Sequence, residues 1–293
     1  MEEASGLKKA LDGGGFVITA EICPPRGSDT AGFLAKARLL KDRIVAANVT
    51  DNQRAVMRLS SLACSVLLLR EGVEPVFQMT CRDRNRLAVQ SDLLGAWVLG
   101  IRNILALTGD HVSFGDHREA KAVYDLDSVQ LVHTVDVLNH GKNLKDRALG
   151  NGTGFFLGAV VAPGAEPFEP EWIKFRKKVE AGARFFQTQA IFDMERFKRF
   201  FDDAETFGAK ILGGILLLKS AKMAHYLNSN VPGVKVPREL VEELEKAPEG
   251  GAQLEKGIEI AARQVKELKG FCHGAHIMAI GQEESVPKII AMA

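Results

Sequence analysis

The sequence predicts an α/β protein that folds as a closed (β/α)8 barrel, the TIM-barrel architecture. Short apolar runs alternate with helix-like segments from one end of the chain to the other, as expected for strands joined by crossover helices. The apolar runs lack a polar residue at every second position, which is typical of strands buried on both faces of a parallel sheet. The length of 293 residues also fits one barrel, which typically needs ~250 residues.

Eight apolar runs are predicted to form the strands of this barrel. In chain order they cover residues 16–22, 44–49, 75–79, 103–107, 155–162, 185–191, 210–217 and 275–280. Segments with helical periodicity cover residues 30–43, 126–138, 169–182, 194–207 and 254–268. Ser28 and Asp29 are expected to begin the first of these helices. Residues 232–251, which contain Pro, Glu and Gly clusters, predict a short extra helix inserted before the last β/α unit.

The main structural alternative is an open, doubly wound sheet, which β/α repeats can also form. A dinucleotide-binding sheet of that type carries a glycine-rich turn after its first strand. The triplet Gly13-Gly14-Gly15 precedes the first predicted strand, so it cannot cradle a pyrophosphate at a helix N-terminus. The barrel is therefore favoured. Because no linker divides the chain, we expect residues 1–293 to form one domain.

The charge balance and the cysteine pattern exclude several classes of partner. The 38 basic and 37 acidic residues give a net charge of +1, which provides no field for nucleic acid or anionic lipid. The four cysteines form no CxxC pair, so neither a disulfide scaffold nor a zinc ribbon is expected. No HExxH motif indicates a metal site. The chain has no apolar signal-peptide core and no run of the ~20 apolar residues that span a membrane, so we expect a cytoplasmic protein.

Candidate functional residues are the polar side chains at the carboxyl ends of the strands, because barrel enzymes carry their active sites there. Glu21 lies at the end of the first strand. If it is enclosed, desolvation raises its pKa and makes it a general acid near neutral pH. The alternative is a surface carboxylate paired with Arg26. Asp110 follows a Thr-Gly pair after the fourth strand and is either a turn former or a functional acid.

Two other polar patterns bear on binding. A glutamine in a barrel strand needs a partner for its amide, so we expect Gln189 to bond a neighbour or a heterocyclic ligand. Gln187 and Gln189 share one strand face, so at least one of them lines the interior. The basic helix 174–178 is either a solvated face or a phosphate contact. The arginines of residues 81–86 either form loop salt bridges or anchor an anionic substrate tail.

Four stretches near the ends of predicted strands together resemble the methylenetetrahydrofolate reductases, in their short form without a regulatory domain. They are Thr-Ala-Glu-Ile-Cys-Pro-Pro-Arg at 19–26, Gln-Met-Thr-Cys at 78–81, Asn-Ile-Leu-Ala-Leu-Thr-Gly-Asp at 103–110 and Ala-Gly-Ala-Arg-Phe-Phe-Gln-Thr-Gln at 181–189. Each stretch alone is a weak motif, but four in register are specific. The similarity extends over nearly the whole chain.

The resemblance implies a flavin-dependent barrel that reduces 5,10-methylenetetrahydrofolate to 5-methyltetrahydrofolate, with hydride delivered from the reduced flavin. Glu21 matches the family's general acid, which helps to open the imidazolidine ring to an iminium cation. Asp110 matches a carboxylate near the flavin and the pterin, whose charge stabilises that cation. Gln189 matches the residue that hydrogen-bonds the pterin. Gln78 lies at a substrate-binding position where many members have histidine.

The same resemblance implies where the flavin binds. Ala162, Glu171 and Lys178 match positions that hold the ribose and the diphosphate, which favours a phosphate contact for Lys178. We therefore expect FAD, with FMN as the alternative. Glu171 stands where the family has a shorter aspartate. The other residues in matching flavin-binding segments are Thr50, Thr108 (arginine in many members), Gly109, Asp110, His111 and Tyr124.

One departure from the family concerns the electron donor. Ala221 occupies a region where NADH-using members carry an aromatic residue that stacks on the nicotinamide nucleotide, an interaction worth roughly 0.5–1.5 kcal/mol. We therefore expect weak direct oxidation of NAD(P)H, or electrons from an iron–sulfur partner subunit, as in relatives from acetogenic one-carbon pathways. The stretches Asp-Leu-Asp-Ser at 125–128 and His-Ile-Met-Ala-Ile at 276–280 resemble those relatives. An oligomer or a complex that binds folate is expected accordingly.

Two other functions stay open from the sequence, because a fold does not fix chemistry. A pterin-binding methyltransferase on the same barrel would need no flavin. A non-catalytic barrel subunit of a redox complex would not depend on Glu21.

Overall fold

A computed structural model describes residues 4–231 and 233–293 and contains eight parallel strands closed into a barrel. Each strand pairs with the next along the chain, and the last pairs with the first. The predicted (β/α)8 barrel is therefore confirmed. The strands are β1 Val17–Ile22, β2 Ala46–Val49, β3 Pro75–Thr80, β4 Asn103–Leu107, β5 Phe156–Val161, β6 Phe185–Ala190, β7 Lys210–Leu216 and β8 Gly274–Met278.

Eleven α-helices lie in the described part of the chain. They are α1 Gly6–Asp12, α2 Ala31–Leu40, α3 Ser61–Arg70, α4 Arg86–Val98, α5 Ser128–Asn139, α6 Glu169–Glu180, α7 Met194–Glu205, α8 Ala221–Asn230, α9 Arg238–Glu245, α10 Gly251–Leu268 and α11 Val286–Met292. Helix α9 lies within the segment 232–251, whose first residue, Pro232, is outside the described residues, as are residues 1–3. Between residues 4 and 231 and from 233 onwards, no helix is long and apolar enough to cross a membrane.

Five helices, α1, α3, α4, α8 and α11, were not predicted from the sequence. For α3 and α4, the composition explains why. Helix α3 has apolar or small residues at nearly every position (SLACSVLLLR), so no single face stands out. Helix α4 leaves Leu87 and Val98 exposed, so its apolar residues do not mark one buried face. Helix α2 begins at Ala31, slightly later than expected. Asp29 still contributes there, because its Oδ1 accepts a hydrogen bond from the Ala31 backbone N–H at 2.9 Å.

Helix α1 closes the amino-terminal end of the barrel. Its Leu7 and Leu11 pack with inward-facing residues near the starts of the strands: Val17, Ala46, Val76, Leu105, Phe156, Phe185 and Leu212. Glu74, in the turn before β3, accepts hydrogen bonds from the backbone N–H groups of Gly6 and Leu7 at 2.6 and 2.8 Å and so fixes the first turn of the helix. The carboxyl-terminal end of the barrel is left as its mouth.

A layer of polar side chains lies in the barrel interior above this apolar floor. Asn48 and Gln187 exchange two amide hydrogen bonds, at 2.6 and 3.0 Å, and Gln187 Nε2 lies 3.4 Å from Thr19 Oγ1. The Thr19 hydroxyl is 3.0 Å from His276 Nδ1. All four side chains are buried, and burial lowers the pKa of His276 to about 3, so the ring is neutral. Since a buried polar group without a partner is costly, each member of this layer depends on its neighbours.

Replacing Gln187 with leucine is expected to lower the free energy of unfolding by about 1–3 kcal/mol, because the buried Asn48 amide loses both partners. Urea titrations followed by circular dichroism measure the loss. The matched control is the double variant N48L/Q187L, which removes both amides and should lose less than the sum of the two single variants. Losses that simply add would contradict a coupled amide pair.

Candidate active site

The carboxyl-terminal end of the barrel carries the predicted site residues, in three groups. One group surrounds Asp110, a second surrounds Lys178, and the third surrounds Glu21 and includes residues that the sequence did not indicate. The predicted residues on β1 to β4 and their loops are Glu21, Thr50, Gln78, Thr108, Gly109, Asp110, His111 and Tyr124, and those on the fifth and sixth β/α units are Ala162, Glu171, Lys178 and Gln189.

Glu21 is enclosed at the end of β1, with only 9% of its surface exposed. Its Oε1 accepts a hydrogen bond from Gln53 Nε2 at 3.0 Å. Burial raises the pKa of the carboxyl to about 7; the Gln53 bond opposes this rise, the charge of Glu283 adds to it, and Arg58 opposes it. Arg26 is exposed and is not the residue that donates to Glu21. The interpretation of Glu21 as a surface carboxylate is therefore wrong.

Three of the residues that surround this carboxyl were not predicted from the sequence. Gln53 and Arg58 lie in the loop between β2 and α3. This loop directly follows the polar end of the second strand, and that polar strand end was the sequence feature from which the two residues could have been predicted. Glu283 lies in the turn before α11, is buried, and forms an ion pair with Lys36 at 2.7 Å. Nothing in the local sequence distinguishes Glu283 from its neighbour Glu284, so tertiary packing alone selects it.

Asp51 joins the ends of β2 and β3. Its Oδ2 accepts hydrogen bonds from the backbone N–H and the hydroxyl of Thr80, each at 2.9 Å, and from Arg84 Nη1 at 2.7 Å. Asp51 and Thr80 are buried, so removing one partner would leave an uncompensated charge inside the protein, which costs about 3–5 kcal/mol. This salt bridge fixes two neighbouring strand ends relative to each other.

Arg82 is buried and links three loops at the mouth. Its guanidinium forms a salt bridge with Asp83 at 2.7 Å and donates to the carbonyl oxygens of Asn52 and Asp110, each at 3.2 Å. The other arginines of the stretch 81–86 are also paired with aspartates. Of the two interpretations of this stretch, loop salt bridges are therefore the one found.

Asp110 lies in a turn that Tyr124 holds. The Tyr124 hydroxyl lies 3.2 Å from the Gly109 carbonyl oxygen and 3.0 Å from that of Asp110, and its ring stacks on His111 with centroids 6.5 Å apart. Gly109 has a φ of +87°, which suits glycine. The Asp110 side chain is exposed, and its Oδ2 accepts a hydrogen bond from the Arg54 backbone N–H at 3.1 Å. Asp110 is thus a turn residue that also presents a carboxylate at the mouth.

Lys178 is the buried cation of the second group, at the carboxyl end of β5. Its Nζ donates to the Val160 carbonyl oxygen at 2.6 Å, and only 6% of the residue is exposed. Burial lowers the pKa of its ammonium, an effect that the charge of Glu171 opposes. Glu171 Oε1 accepts a hydrogen bond from the Ala162 backbone N–H at 2.9 Å. The three predicted residues of this group are therefore brought together by the fold.

Thr50, Gln78 and Thr108 border the mouth on the side of the first four strands. Thr50 is buried, and its hydroxyl donates to Cys23 Sγ at 3.3 Å. Gln78 is buried near the end of β3, whereas Thr108, directly after β4, is exposed. These three side chains offer one amide and two hydroxyl groups near Glu21 and Asp110.

The two glutamines of β6 have opposite environments. Gln187 lines the interior, which confirms that at least one of the pair does so. The expectation that the Gln189 amide is buried inside the strand is wrong, because its side chain is exposed. The pairing of β6 with β7 shifts register between Gln187 and Ala190, so the regular strand geometry ends before Gln189. Its amide is therefore free to meet a ligand at the mouth rather than a neighbour in the core.

Two histidines, His273 and His276, lie three residues apart, but they contact different neighbours. His273 Nδ1 accepts a hydrogen bond from the Ile211 backbone N–H at 3.2 Å, whereas His276 bonds Thr19 in the interior. Across residues 4–231 and 233–293, no group of three or more His, Cys, Asp or Glu side chains is placed to hold a metal ion.

The family of the chain follows from comparison with known proteins. Residues 6–293 match the family model described as methylenetetrahydrofolate reductase. The chain belongs to the methylenetetrahydrofolate reductase family. The resemblance predicted from the four strand-end motifs is therefore confirmed, and the match covers the whole barrel.

Relatives and solved structures agree with this membership of the methylenetetrahydrofolate reductase family. The chain is 24% identical over 298 residues to the probable methylenetetrahydrofolate reductase (NADPH) of Caenorhabditis elegans, which covers 97% of this chain but only 43% of that relative. It is 28% identical over 231 residues to the 5,10-methylenetetrahydrofolate reductase of Pectobacterium carotovorum subsp. carotovorum, covering 75% of this chain and 70% of that one. The chain thus spans less than half the length of the Caenorhabditis relative.

One solved structure shares the whole fold. It is an uncharacterized protein from Clostridium thermocellum that binds two copies of 5-methyl-5,6,7,8-tetrahydrofolic acid. The two chains superpose with a TM-score of 0.65 at 15% sequence identity, and the match covers 97% of each. At this identity the likeness supports only the barrel fold of this methylenetetrahydrofolate reductase family member. The bound ligand is a property of the Clostridium protein.

Replacing Glu21 with glutamine is expected to stabilise this family member at alkaline pH. Because burial raises the folded-state pKa to about 7, the folded protein holds this proton more tightly than the unfolded chain. The favourable contribution is complete below the ordinary carboxyl pKa and is lost as the pH rises through about 7. The variant avoids that loss, so its free energy of unfolding should exceed that of the wild type by up to about 3 kcal/mol near pH 8 and by at most about 1 kcal/mol near pH 5.

Urea unfolding at the two pH values measures the difference. The matched control is Glu166→Gln, which changes an exposed carboxylate and should have the same small effect at both pH values. An equal effect of Glu21→Gln at the two pH values would contradict a raised pKa.

Proposed function

We propose that this protein reduces 5,10-methylenetetrahydrofolate to 5-methyltetrahydrofolate, with Glu21 as the general acid. The observation that carries the proposal is a carboxyl enclosed at the barrel mouth with a pKa raised to about 7, in a member of the methylenetetrahydrofolate reductase family. An acid with a pKa near the working pH is both protonated often enough and acidic enough to transfer a proton. An ordinary surface carboxylate would be almost fully ionised at that pH.

In this proposal Glu21 protonates the ring nitrogen that leaves when the imidazolidine ring opens to an iminium cation. Asp110, whose carboxylate is exposed at the mouth, stabilises the positive charge that develops. The amides of Gln78 and Gln189 orient the pterin, because each offers both a donor and an acceptor to a heterocycle. The exposure of Gln189 supports this role, since its amide is not committed to the core.

The donors at the mouth also fit a flavin, and we propose FAD. Lys178 is a buried cation of α6 whose hydrogen bond goes to the neutral Val160 carbonyl of β5, and an anionic diphosphate would balance its charge. Glu171 and Ala162 would hold the ribose, and the residues after β4 would hold the isoalloxazine side. When bound in its reduced form, a flavin supplies the hydride for the methylene carbon. FMN is the alternative, and the mass of the flavin released from the purified protein distinguishes the two.

Replacing Glu21 with glutamine is expected to reduce the formation of 5-methyltetrahydrofolate by ~10²–10⁴-fold, because the variant cannot donate the proton. Flavin binding should be retained, since Glu21 is not among the proposed flavin contacts. The assay measures 5-methyltetrahydrofolate from a chemically reduced enzyme, which removes any dependence on the electron donor. Glu166→Gln is the matched control and should keep full activity.

Two experimental results would favour other functions. Full activity of a redox complex that contains Glu21→Gln would indicate a non-catalytic barrel subunit. A colourless preparation that binds folate without flavin would indicate a pterin-binding methyltransferase. Either result contradicts the proposed reduction.

We further propose that NAD(P)H reduces this protein slowly and that a partner subunit with an iron–sulfur centre supplies the electrons. Ala221 begins α8 and is buried, with its backbone N–H 3.2 Å from Gln253 Oε1, so position 221 offers no ring for a nicotinamide nucleotide to stack on. The Caenorhabditis relative, by contrast, is named for NADPH. We expect slow flavin bleaching when NADH or NADPH is mixed with the purified protein in a stopped-flow instrument. Rapid bleaching by either nucleotide alone would contradict the proposal.

A further inference from the structure

We propose that Gln53 is a positioning residue for the Glu21 carboxyl, and that Asp110 keeps Gln53 in place by binding the backbone of the adjacent Arg54. The inference rests on the proposed function, in which Glu21 is the general acid. It adds Gln53 to that site and gives Asp110 a second role that does not involve the substrate.

The Gln53 amide is oriented from both of its ends. Its Nε2 donates to Glu21 Oε1 at 3.0 Å, and its Oε1 lies 3.7 Å from Cys23 Sγ, which donates to it. Cys23 in turn accepts a hydrogen bond from the Thr50 hydroxyl at 3.3 Å. Because the thiol occupies the carbonyl oxygen, the amide presents its N–H group to Glu21. A donor on Oε1 leaves Oε2 as the oxygen that carries the acidic proton.

Gln53 is held on a backbone that would not adopt this shape alone. Its neighbours Asn52 and Arg54 have φ values of 43° and 57°, and Ala55 has a φ of 57°. The left-handed region is unfavourable for residues with a Cβ atom. Such strain persists only where the surrounding structure fixes the backbone, and it is concentrated at functional sites. The position of Gln53 therefore depends on whatever holds this loop.

The loop between β4 and α5 supplies part of that support. It binds two backbone N–H groups of the strained loop with carboxylate oxygens, each at 3.1 Å, and it packs a glycine directly against a carbonyl so that any side chain there would overlap it. The contacts are Asp110 Oδ2 with the Arg54 N–H, Asp116 Oδ1 with the Met57 N–H, and Gly115 with the Ala55 carbonyl. Asp110 binds the residue that follows Gln53 in the chain, and Arg82 binds the carbonyl oxygen of the residue that precedes it.

Other charged groups face Glu21 and stay unchanged in the variants used to test the proposal. Glu283 faces it from the turn before α11, and its own charge is paired with Lys36 of α2. Arg58 faces it from the same loop as Gln53, and Cys23 lies two residues further along the chain. The neutral substitution Gln53→Met therefore reports on the donated hydrogen bond and not on a rearranged set of charges.

The first experiment titrates the carboxyl of Glu21 directly by infrared spectroscopy of the purified protein. The protonated C=O stretch of Glu21 is identified as the band that disappears in Glu21→Gln, and its midpoint is followed with pH. In Gln53→Met, which keeps the size and loses the donor, we expect the midpoint to rise by about one pH unit, because a bond to the ionised form is lost. In Gln53→Lys, which offers a charged donor, we expect the midpoint to fall. A purely structural role would not raise the midpoint in Gln53→Met, and the fall in Gln53→Lys includes the effect of the added positive charge.

The second experiment separates the effect of the Asp110 charge from the effect of its hydrogen bond to the Arg54 backbone N–H. Asp110→Asn keeps an oxygen that can accept from the Arg54 N–H, whereas Asp110→Ala removes it, and both lose the charge. We expect the Glu21 midpoint to be higher in Asp110→Ala than in Asp110→Asn. In the Gln53→Met background that difference should vanish, because the donated bond is already absent.

The proposal is overturned if Gln53→Met leaves the midpoint unchanged or lowers it, or if the two Asp110 variants have the same midpoint. These readings do not use turnover, so they are independent of the proposed reaction. A shifted midpoint in a protein that makes no 5-methyltetrahydrofolate would support the positioning role and contradict the proposed function. An unshifted midpoint in an active enzyme would do the reverse.

Discussion

The closed barrel imposes the constraint on which the rest of this structure depends. Every second side chain of each strand points into a space that is sealed by α1 at one end, so a polar group placed there must find a partner inside the protein. Lower in the barrel the constraint is met by apolar packing. One layer higher it is met by the amide pair of Asn48 and Gln187 and by the contact of Thr19 with His276.

At the mouth the same constraint produces two opposite results for carboxylates on adjacent strands. Asp51 accepts hydrogen bonds from Thr80 and a charged donor, Arg84, so its charge is matched and it serves as a structural link. Glu21 accepts a hydrogen bond from the neutral amide of Gln53, and burial outweighs that bond in setting its pKa. A residue left in this state is unfavourable for stability at alkaline pH and useful for proton transfer, which is the usual compromise at an active site.

The sequence was sufficient for the fold because the information lies in patterns that the backbone geometry enforces. Eight apolar runs without polar alternation are typical of strands buried in a parallel sheet, and the spacing left room for the crossover helices. Helix α3 was missed because its residues are apolar almost all round. Its sequence therefore indicates burial but shows no helical periodicity. The boundary of α2 was misplaced because Asp29 caps the first turn from outside it.

The site was only partly predictable, and the reason is physical. Glu21 and Asp110 stand at or just after strand ends, where barrel topology itself brings residues together, whereas Lys178 lies on α6 and was indicated only by the family resemblance. Gln53 and Glu283 approach Glu21 from loops whose paths depend on tertiary contacts. The strand face of Gln187 and Gln189 follows from the period of two, but the register shift that exposes Gln189 leaves no trace in that period.

The strained loop after β2 shows why such contacts escape a local interpretation. Arg54 and Ala55 adopt a conformation that costs of order 1–3 kcal/mol per residue, and their identities do not indicate it, since glycine is the residue normally found there. Asn52, by contrast, is of a residue type that tolerates this conformation. The loop that carries Asp110 helps to stabilise this conformation, although Asp110 lies 56 residues after Arg54 in the chain. This loop presents the Asp110 carboxylate at the mouth and, in our proposal, fixes Gln53, which donates to Glu21. Both carboxyl groups therefore depend on the backbone of the same loop. Displacing that backbone would therefore disturb both carboxyl groups, and with them the charge stabilisation and proton donation that we propose, although Glu21 lies on β1 and Asp110 follows β4.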